Sequence, residues 1–141
     1  MAKLQDYQDD FILFLEGGFI AVNQADEDSA KKLFAAAHLL QPKNVLTKIG
    51  VGYLHFHKLE LKQACKAFEE ALDQEPDNEM AKTFLGLCFA LTPTEVAKGE
   101  KLLENSARKA HDPLIKKLAD ASLAFIDKFV KKAPGPAGKG K

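Results

Sequence analysis

Two histidines one residue apart, two cysteines and one acidic stretch are the groupings in this 141-residue chain whose types and spacing could do chemistry. His55 and His57 flank Phe56. On a helix they point roughly 200° apart and cannot share a metal ion without distortion, so they read as surface or packing histidines. The run Asp73-Gln74-Glu75-Pro76-Asp77-Asn78-Glu79 superficially resembles a calcium loop, but Asn78 stands where the turning glycine belongs and Phe84 where the closing glutamate belongs. It reads instead as one helix end followed by the next helix's cap. Cys65 and Cys88 lie in apolar patterns with no base placed beside them by spacing, which predicts buried small hydrophobes and no disulfide framework. There is no phosphate-cradling glycine loop, nucleophile elbow or pair of catalytic carboxylates. The expectation is a non-enzymatic protein without metal or cofactor.

Composition narrows the partners. Lys plus Arg and Asp plus Glu each number 20, for a formal net charge of zero, so nothing favours a nucleic-acid partner. With 46% hydrophobic and 28% charged residues, the chain has the balance of a globular domain, and its length suits one domain. The longest apolar stretches, such as Phe11 to Leu15 and Leu33 to Ala37, fall far short of the ~20 residues a membrane span needs. The first residues carry Asp6, Asp9 and Asp10 and no small-residue cleavage site, unlike a secretory signal. A soluble, cytoplasmic protein without membrane insertion is expected. The terminal run Ala133-Pro134-Gly135-Pro136-Ala137-Gly138-Lys139-Gly140-Lys141 has nothing to bury and reads as a mobile basic tail. The predicted division is thus a helical domain over 1–132 and a tail over 133–141.

The elements that position these residues are set by an internal period. Gln41-Pro42-Lys43-Asn44 and Glu75-Pro76-Asp77-Asn78 place the same turn 76 − 42 = 34 residues apart. The same shift superimposes Gly18 on Gly52, Ala30 on Ala64, Phe34 on Phe68 and Ala37 on Ala71, and a further one carries Gly52 onto Gly86. Each period reads as two helices. Small residues at matched offsets allow the backbones to approach, while Phe34 and Phe68 fill the space between them. The third period is looser, with Gly99, Leu103 and Ser106 matching after a one-residue insertion.

Seven helices are predicted, at roughly 5–23, 26–41, 44–58, 61–74, 78–91, 93–110 and 113–132, with boundaries good to about 2–4 residues. Acidic Asp26, Glu27 and Asp28 suit a helix start, as do Thr92-Pro93-Thr94-Glu95 and Asp112-Pro113. The last helix carries Leu114, Ile115, Leu118, Ala119, Ser122, Phe125, Ile126 and Phe129 on one stripe opposite charged residues, as a terminal capping helix requires.

The pattern Val51-Gly52, Ala64, Phe68, Ala71 and Pro76, echoed by Gly18, Ala30, Phe34, Ala37 and Pro42 and by Leu85-Gly86 and Phe89, resembles the tetratricopeptide repeat over about residues 11–113. Lys48 replaces the usual large residue of the middle period, and His55 and Ala21 replace the usual aromatic after the glycine. The resemblance implies an all-α fold, an α-solenoid of three helix pairs closed by the C-terminal helix. In its general architecture the chain is similar to the bacterial type III secretion chaperones of the tetratricopeptide class, which serve translocators or needle subunits. That likeness implies a virulence-associated bacterial protein holding a hydrophobic or self-assembling secretion substrate, with a small co-chaperone or a second copy as further partners.

In stacked helix pairs the first helix of each pair lines the concave face, where extended or helical peptides bind. Projected onto this chain, the lining is Ile12, Leu15, Phe19, Val22 and Asn23, then Leu46, Ile49, Tyr53, Phe56 and His57, then Met80, Thr83, Leu87, Ala90 and Leu91. Only Asn23, His57 and Thr83 among them are polar, unlike the Lys- and Asn-lined repeats that clamp acidic tails. Burying about 600 Å² of such surface at about 25 cal/mol per Å² gives ~15 kcal/mol gross, much of it offset by ordering. Two other readings stand beside this one. The lining can be ordinary core covered by the N-terminal segment, the capping helix or a second copy, or the fold can be a general scaffold joining two proteins of another complex. Phe14, Phe34, Phe68 and Phe84 are expected to serve packing.

Overall fold

The helices start and stop where short polar side chains meet apolar periodicity. Asp26 accepts the Ser29 N–H at 3.1 Å, Asn78 the Ala81 N–H at 2.9 Å and Asp112 the Leu114 N–H at 2.8 Å, each satisfying a donor that the first helical turn leaves unpaired. The computed structural model describes residues 3–131. Its seven α-helices are α1 (Phe11–Asn23), α2 (Glu27–Leu40), α3 (Leu46–His57), α4 (Leu61–Gln74), α5 (Glu79–Ala90), α6 (Val96–Lys109) and α7 (Pro113–Phe125). The basic tail expected over 133–141 lies outside the described residues.

The chain is all-α, and its helices pack in sequence as antiparallel pairs. α1 packs on α2, α3 on α4 and α5 on α6, with α7 following on α6. Each odd-numbered helix also touches the next, α1 on α3, α3 on α5 and α5 on α7. α3 therefore has neighbours on two sides, which is why its apolar face is too wide for a single stripe and why Thr47, Ile49, Gly50, Gly52 and Leu54 are all buried.

Close approach within the pairs rests on glycine facing a large apolar side chain. A Cβ on Gly18 would lie 2.4 Å from Phe34 Cε1, and one on Gly52 2.6 Å from Phe68 Cε1. In the third pair a Cβ on Gly99 would meet the Ala90 backbone nitrogen at 2.5 Å, with Leu103 buried where the earlier pairs have phenylalanine. Phe34 and Phe68 are buried as packing residues, as expected, whereas Phe14 and Phe84 are only half-buried.

Local geometry recurs with the glycines. Ala25 and Leu59, separated by 59 − 25 = 34 residues, both have φ of 60°. In each case the following amide reaches back into the preceding helix, Asp26 N–H to Ala21 C=O at 2.8 Å and Glu60 N–H to His55 C=O at 2.9 Å. Asn44 and Asn78, also 34 apart, donate from their amides to Gln41 Oε1 at 2.9 Å and Glu75 Oε1 at 3.0 Å.

Three boundaries differ from expectation. Leu4–Asp10 is a 3₁₀ run with no buried residue, and the α-helix begins only at Phe11, the first side chain to enter the core. Thr92 does not cap α6: its hydroxyl donates to the Cys88 carbonyl at 2.8 Å, closing α5, and α6 starts at Val96. α7 gives way at Ile126 to a π-turn, Ile126–Val130, that keeps Ile126 buried but leaves Phe125 and Phe129 half-exposed against each other, ring centres 5.1 Å apart. The buried stripe of this helix is thus Ile115, Ala119, Ser122 and Ile126, narrower than the eight residues expected.

Candidate functional site

Contacts between odd-numbered helices bring their side chains onto a shared surface. Tyr53 on α3 is its hub. Its ring centre lies 5.2 Å from that of Phe19 on α1, 5.4 Å from Phe84 on α5 and 4.6 Å from His57 one turn along α3. Phe19 sets its edge on Phe34 at 5.5 Å, and Phe84 stacks on Phe68 at 5.6 Å with the planes 14° apart. Phe84 also meets Phe56, at 6.3 Å. Aromatic pairs in such offset and edge-on arrangements gain stability beyond their buried area. The row is anchored at its polar end, where the Tyr53 hydroxyl donates to Asn23 Oδ1 at 2.6 Å. Burial pushes the Tyr53 phenol above its ordinary pKa, so it stays a neutral donor.

The fifteen lining residues expected from the sequence divide into three groups. Leu15, Val22, Ile49, Thr83 and Ala90 are buried between helices and offer a partner no surface. Thr83 has a structural duty there, donating to the Glu79 carbonyl and bonding the Ser106 hydroxyl, both at 2.8 Å. Phe19, Leu46, Tyr53, Phe56, Met80, Leu87 and Leu91 are half-buried, with one side in the core and the other available. Ile12, Asn23 and His57 are exposed, Ile12 on the first turn of α1 outside the aromatic row. Phe84 belongs with the second group. The 34-residue shift carries Phe19 onto Tyr53 and then onto Leu87, so the period did not point to Phe84.

The opposite side of α3 holds a second feature. A cavity of about 420 Å³ opens between α2, α3 and α4, floored by Phe34, Val51, Leu54 and Ala67 and rimmed by Lys31, Lys48 and Lys58 with Glu27 and Glu70. Glu27 pairs with Lys31 and Lys58, each at 2.8 Å, and the two ammonium groups hold its carboxyl at about 2. Thr47, 5% exposed beside this cavity, has a hydroxyl with no hydrogen-bond partner among the described residues. No sequence signal marked this cavity, because its walls come from three helices.

The groups that first suggested chemistry are dispersed. His55 Nδ1 faces Glu60 Oε1 at 2.7 Å, while His57 turns to Tyr53 on the other side of α3. Asn78 caps α5, and Glu79 accepts the His111 N–H at 2.8 Å and the Asp112 N–H at 3.2 Å, tying the start of α5 to the α6–α7 loop. Cys88 is fully buried and Cys65 half-buried on neighbouring helices. Among the described residues, no helix is long and apolar enough to cross a membrane. No protein-family model and no curated protein matches the chain.

Proposed function

We propose that the chain is a tetratricopeptide-type helical repeat protein acting, without enzymatic activity, as a chaperone of a hydrophobic or self-assembling secretion substrate of the type III class. The carrying observation is the row Phe19, Tyr53 and Phe84, which runs across three successive odd-numbered helices, each residue half-buried. A row of large apolar side chains in register with the helix spacing suits a client helix or extended segment, whose anchors would enter between neighbouring rings. The 34-residue recurrence of the Gly–Phe contacts and of the Ala25 and Leu59 turns supports the repeat reading. The likeness in general architecture to the tetratricopeptide-class secretion chaperones suggests the substrate class. The cavity behind α3 favours the alternative of a general scaffold, since it gives the fold a second surface of different character.

Co-expression with needle-subunit and translocator proteins tests the proposal. A soluble complex is expected with at least one of them, abolished by Tyr53→Glu and by Leu87→Glu and retained by Val51→Glu on the cavity side, with circular dichroism showing all three variants folded. A complex that survives both front-face substitutions would refute the assignment of this surface, and loss only on Val51→Glu would favour the scaffold reading through the rear cavity.

A further inference from the structure

Behind α3, the cavity of about 420 Å³ between α2, α3 and α4 combines an apolar floor with an unequally paired rim. Its volume falls in the range of about 300–1,000 Å³ usual for small-molecule sites, which are mostly apolar with a few polar groups to fix orientation. Three ammonium groups line it against two carboxylates. Glu27 is already shared between Lys31 and Lys58, each at 2.8 Å. Lys48 on α3 is half-buried and makes no ion pair among the described residues. Such a lysine lays its hydrocarbon stem along the wall and keeps its charged head for a counter-ion. Glu70, across the rim on α4, is exposed, so water already satisfies it and it selects a cation only weakly. Thr47 lines the same cavity, and its buried hydroxyl has no hydrogen-bond partner among the described residues, a polar group that plain core packing does not leave over.

We propose that this cavity is a binding site for a small amphipathic carboxylate, whose hydrocarbon body lies on the floor of Phe34, Val51, Leu54 and Ala67 and whose carboxylate pairs with Lys48. Apolar burial supplies the affinity, and the ammonium group supplies the choice of head group. A neutral amphiphile of the same length would cover the floor and leave Lys48 without a counter-charge. A cationic one would set like charge beside Lys48 and find only the solvated Glu70 in return. The inference is independent of the client surface, which lies on the opposite side of α3.

Titration of the full chain with sodium decanoate, followed by calorimetry and by amide NMR shifts, tests this. The expected result is saturable binding that shifts the amides of Val51, Leu54 and Ala67 and not those of Phe19 and Phe84. Octanoate, two methylenes shorter, should bind more weakly by up to about fifteenfold, at about fourfold per buried methylene. Lys48→Gln should weaken decanoate by about two- to fivefold and leave decanol unchanged, while Lys116→Gln on α7 changes neither. Val51→Glu, shown to be folded by circular dichroism, should abolish decanoate binding. Four results would overturn the proposal: no saturable binding below the concentration at which decanoate self-associates, decyltrimethylammonium binding as tightly as decanoate, Lys48→Gln binding decanoate as tightly as wild type, or shifts confined to the aromatic row.

Discussion

Gly17 and Gly18 are adjacent in α1, yet alanine should act on them with opposite sign. Replacing a glycine inside a helix by alanine gains about 1 kcal/mol at either position from reduced backbone freedom in the unfolded chain. At Gly17 the new methyl would meet only Leu33 Cδ1 at 3.3 Å, the end of a flexible, half-buried side chain that can withdraw by a few tenths of an ångström. At Gly18 it would stand 2.4 Å from Phe34 Cε1 and 2.6 Å from Cδ1. That ring cannot withdraw, because Gly50 of α3 flanks it just as closely: a Cβ there would also lie 2.5 Å from Cε1. Overpacking a closed core costs about 1–3 kcal/mol. Gly18→Ala should therefore come out between neutral and about 2 kcal/mol destabilised, while Gly17→Ala gains up to ~1 kcal/mol, a separation of about 1–3 kcal/mol. Urea denaturation followed by circular dichroism, with equal slopes for the two variants, measures this directly. Phe34→Leu supplies the second arm: it should cost less in the Gly18→Ala background than alone, with a coupling of at least ~1 kcal/mol. Gly18→Ala as stable as Gly17→Ala, or strict additivity with Phe34→Leu, would show that glycine does not set the α1–α2 approach.

Three further outcomes follow from single residues. Leu59→Gly should stabilise by up to ~1 kcal/mol in the same urea assay, since Leu59 holds φ of 60° with its side chain 72% exposed; a loss would mean that this side chain contributes packing. Thr47→Val removes a buried hydroxyl without a partner while keeping the shape, and should gain about 1 kcal/mol, a measurable loss being the contrary result. Glu79 is held at about 2, chiefly by the His111 and Asp112 backbone N–H groups and the His111 ring, against an ordinary value of 4.5. The contribution of its carboxylate is complete above pH 4.5 and is lost as pH falls through about 2. Glu79→Gln should thus melt below wild type at pH 7 by a margin that shrinks steadily between pH 4.5 and pH 2, and a margin constant with pH would rule out the linkage.

Much of the fold was legible because the same residue types do the same work 34 positions apart. The pairing of Gly18 with Phe34 and of Gly52 with Phe68 follows from a helix that tolerates glycine only where something large approaches it. Caps were legible where the side chain has one plausible direction, as at Asp26 and Asp112. Thr92 misled because a threonine hydroxyl can serve the helix behind it as readily as the one ahead, and here it bonds the Cys88 carbonyl. The turns at Ala25 and Leu59 were hidden because neither residue type announces a positive φ. Of the candidate surface, the helices that carry it were legible and the depth of each residue was not. A stripe drawn along α3 cannot distinguish Ile49, covered by α4 and α5, from Tyr53, whose ring edge emerges between α1 and α5.

The glycine contacts also explain why an aromatic row is left over on α3. With Gly50 set against Phe34 and Gly52 against Phe68, the backbone of α3 lies close to α2 and α4 at those two positions. The aromatic residues of α3, Tyr53 and Phe56, project instead toward α5. There they meet only the rings supplied by α1 and α5, which are themselves drawn in against α2 and α6 by Gly18 and Gly86. A row of half-covered aromatic side chains is thus a consequence of how the pairs close. Opening any one pair by filling its glycine should disorder the row from behind. If the surface binds a client, Gly52→Ala should weaken that binding although Gly52 is buried beneath Phe68, and Gly17→Ala, outside the row, should leave it unchanged.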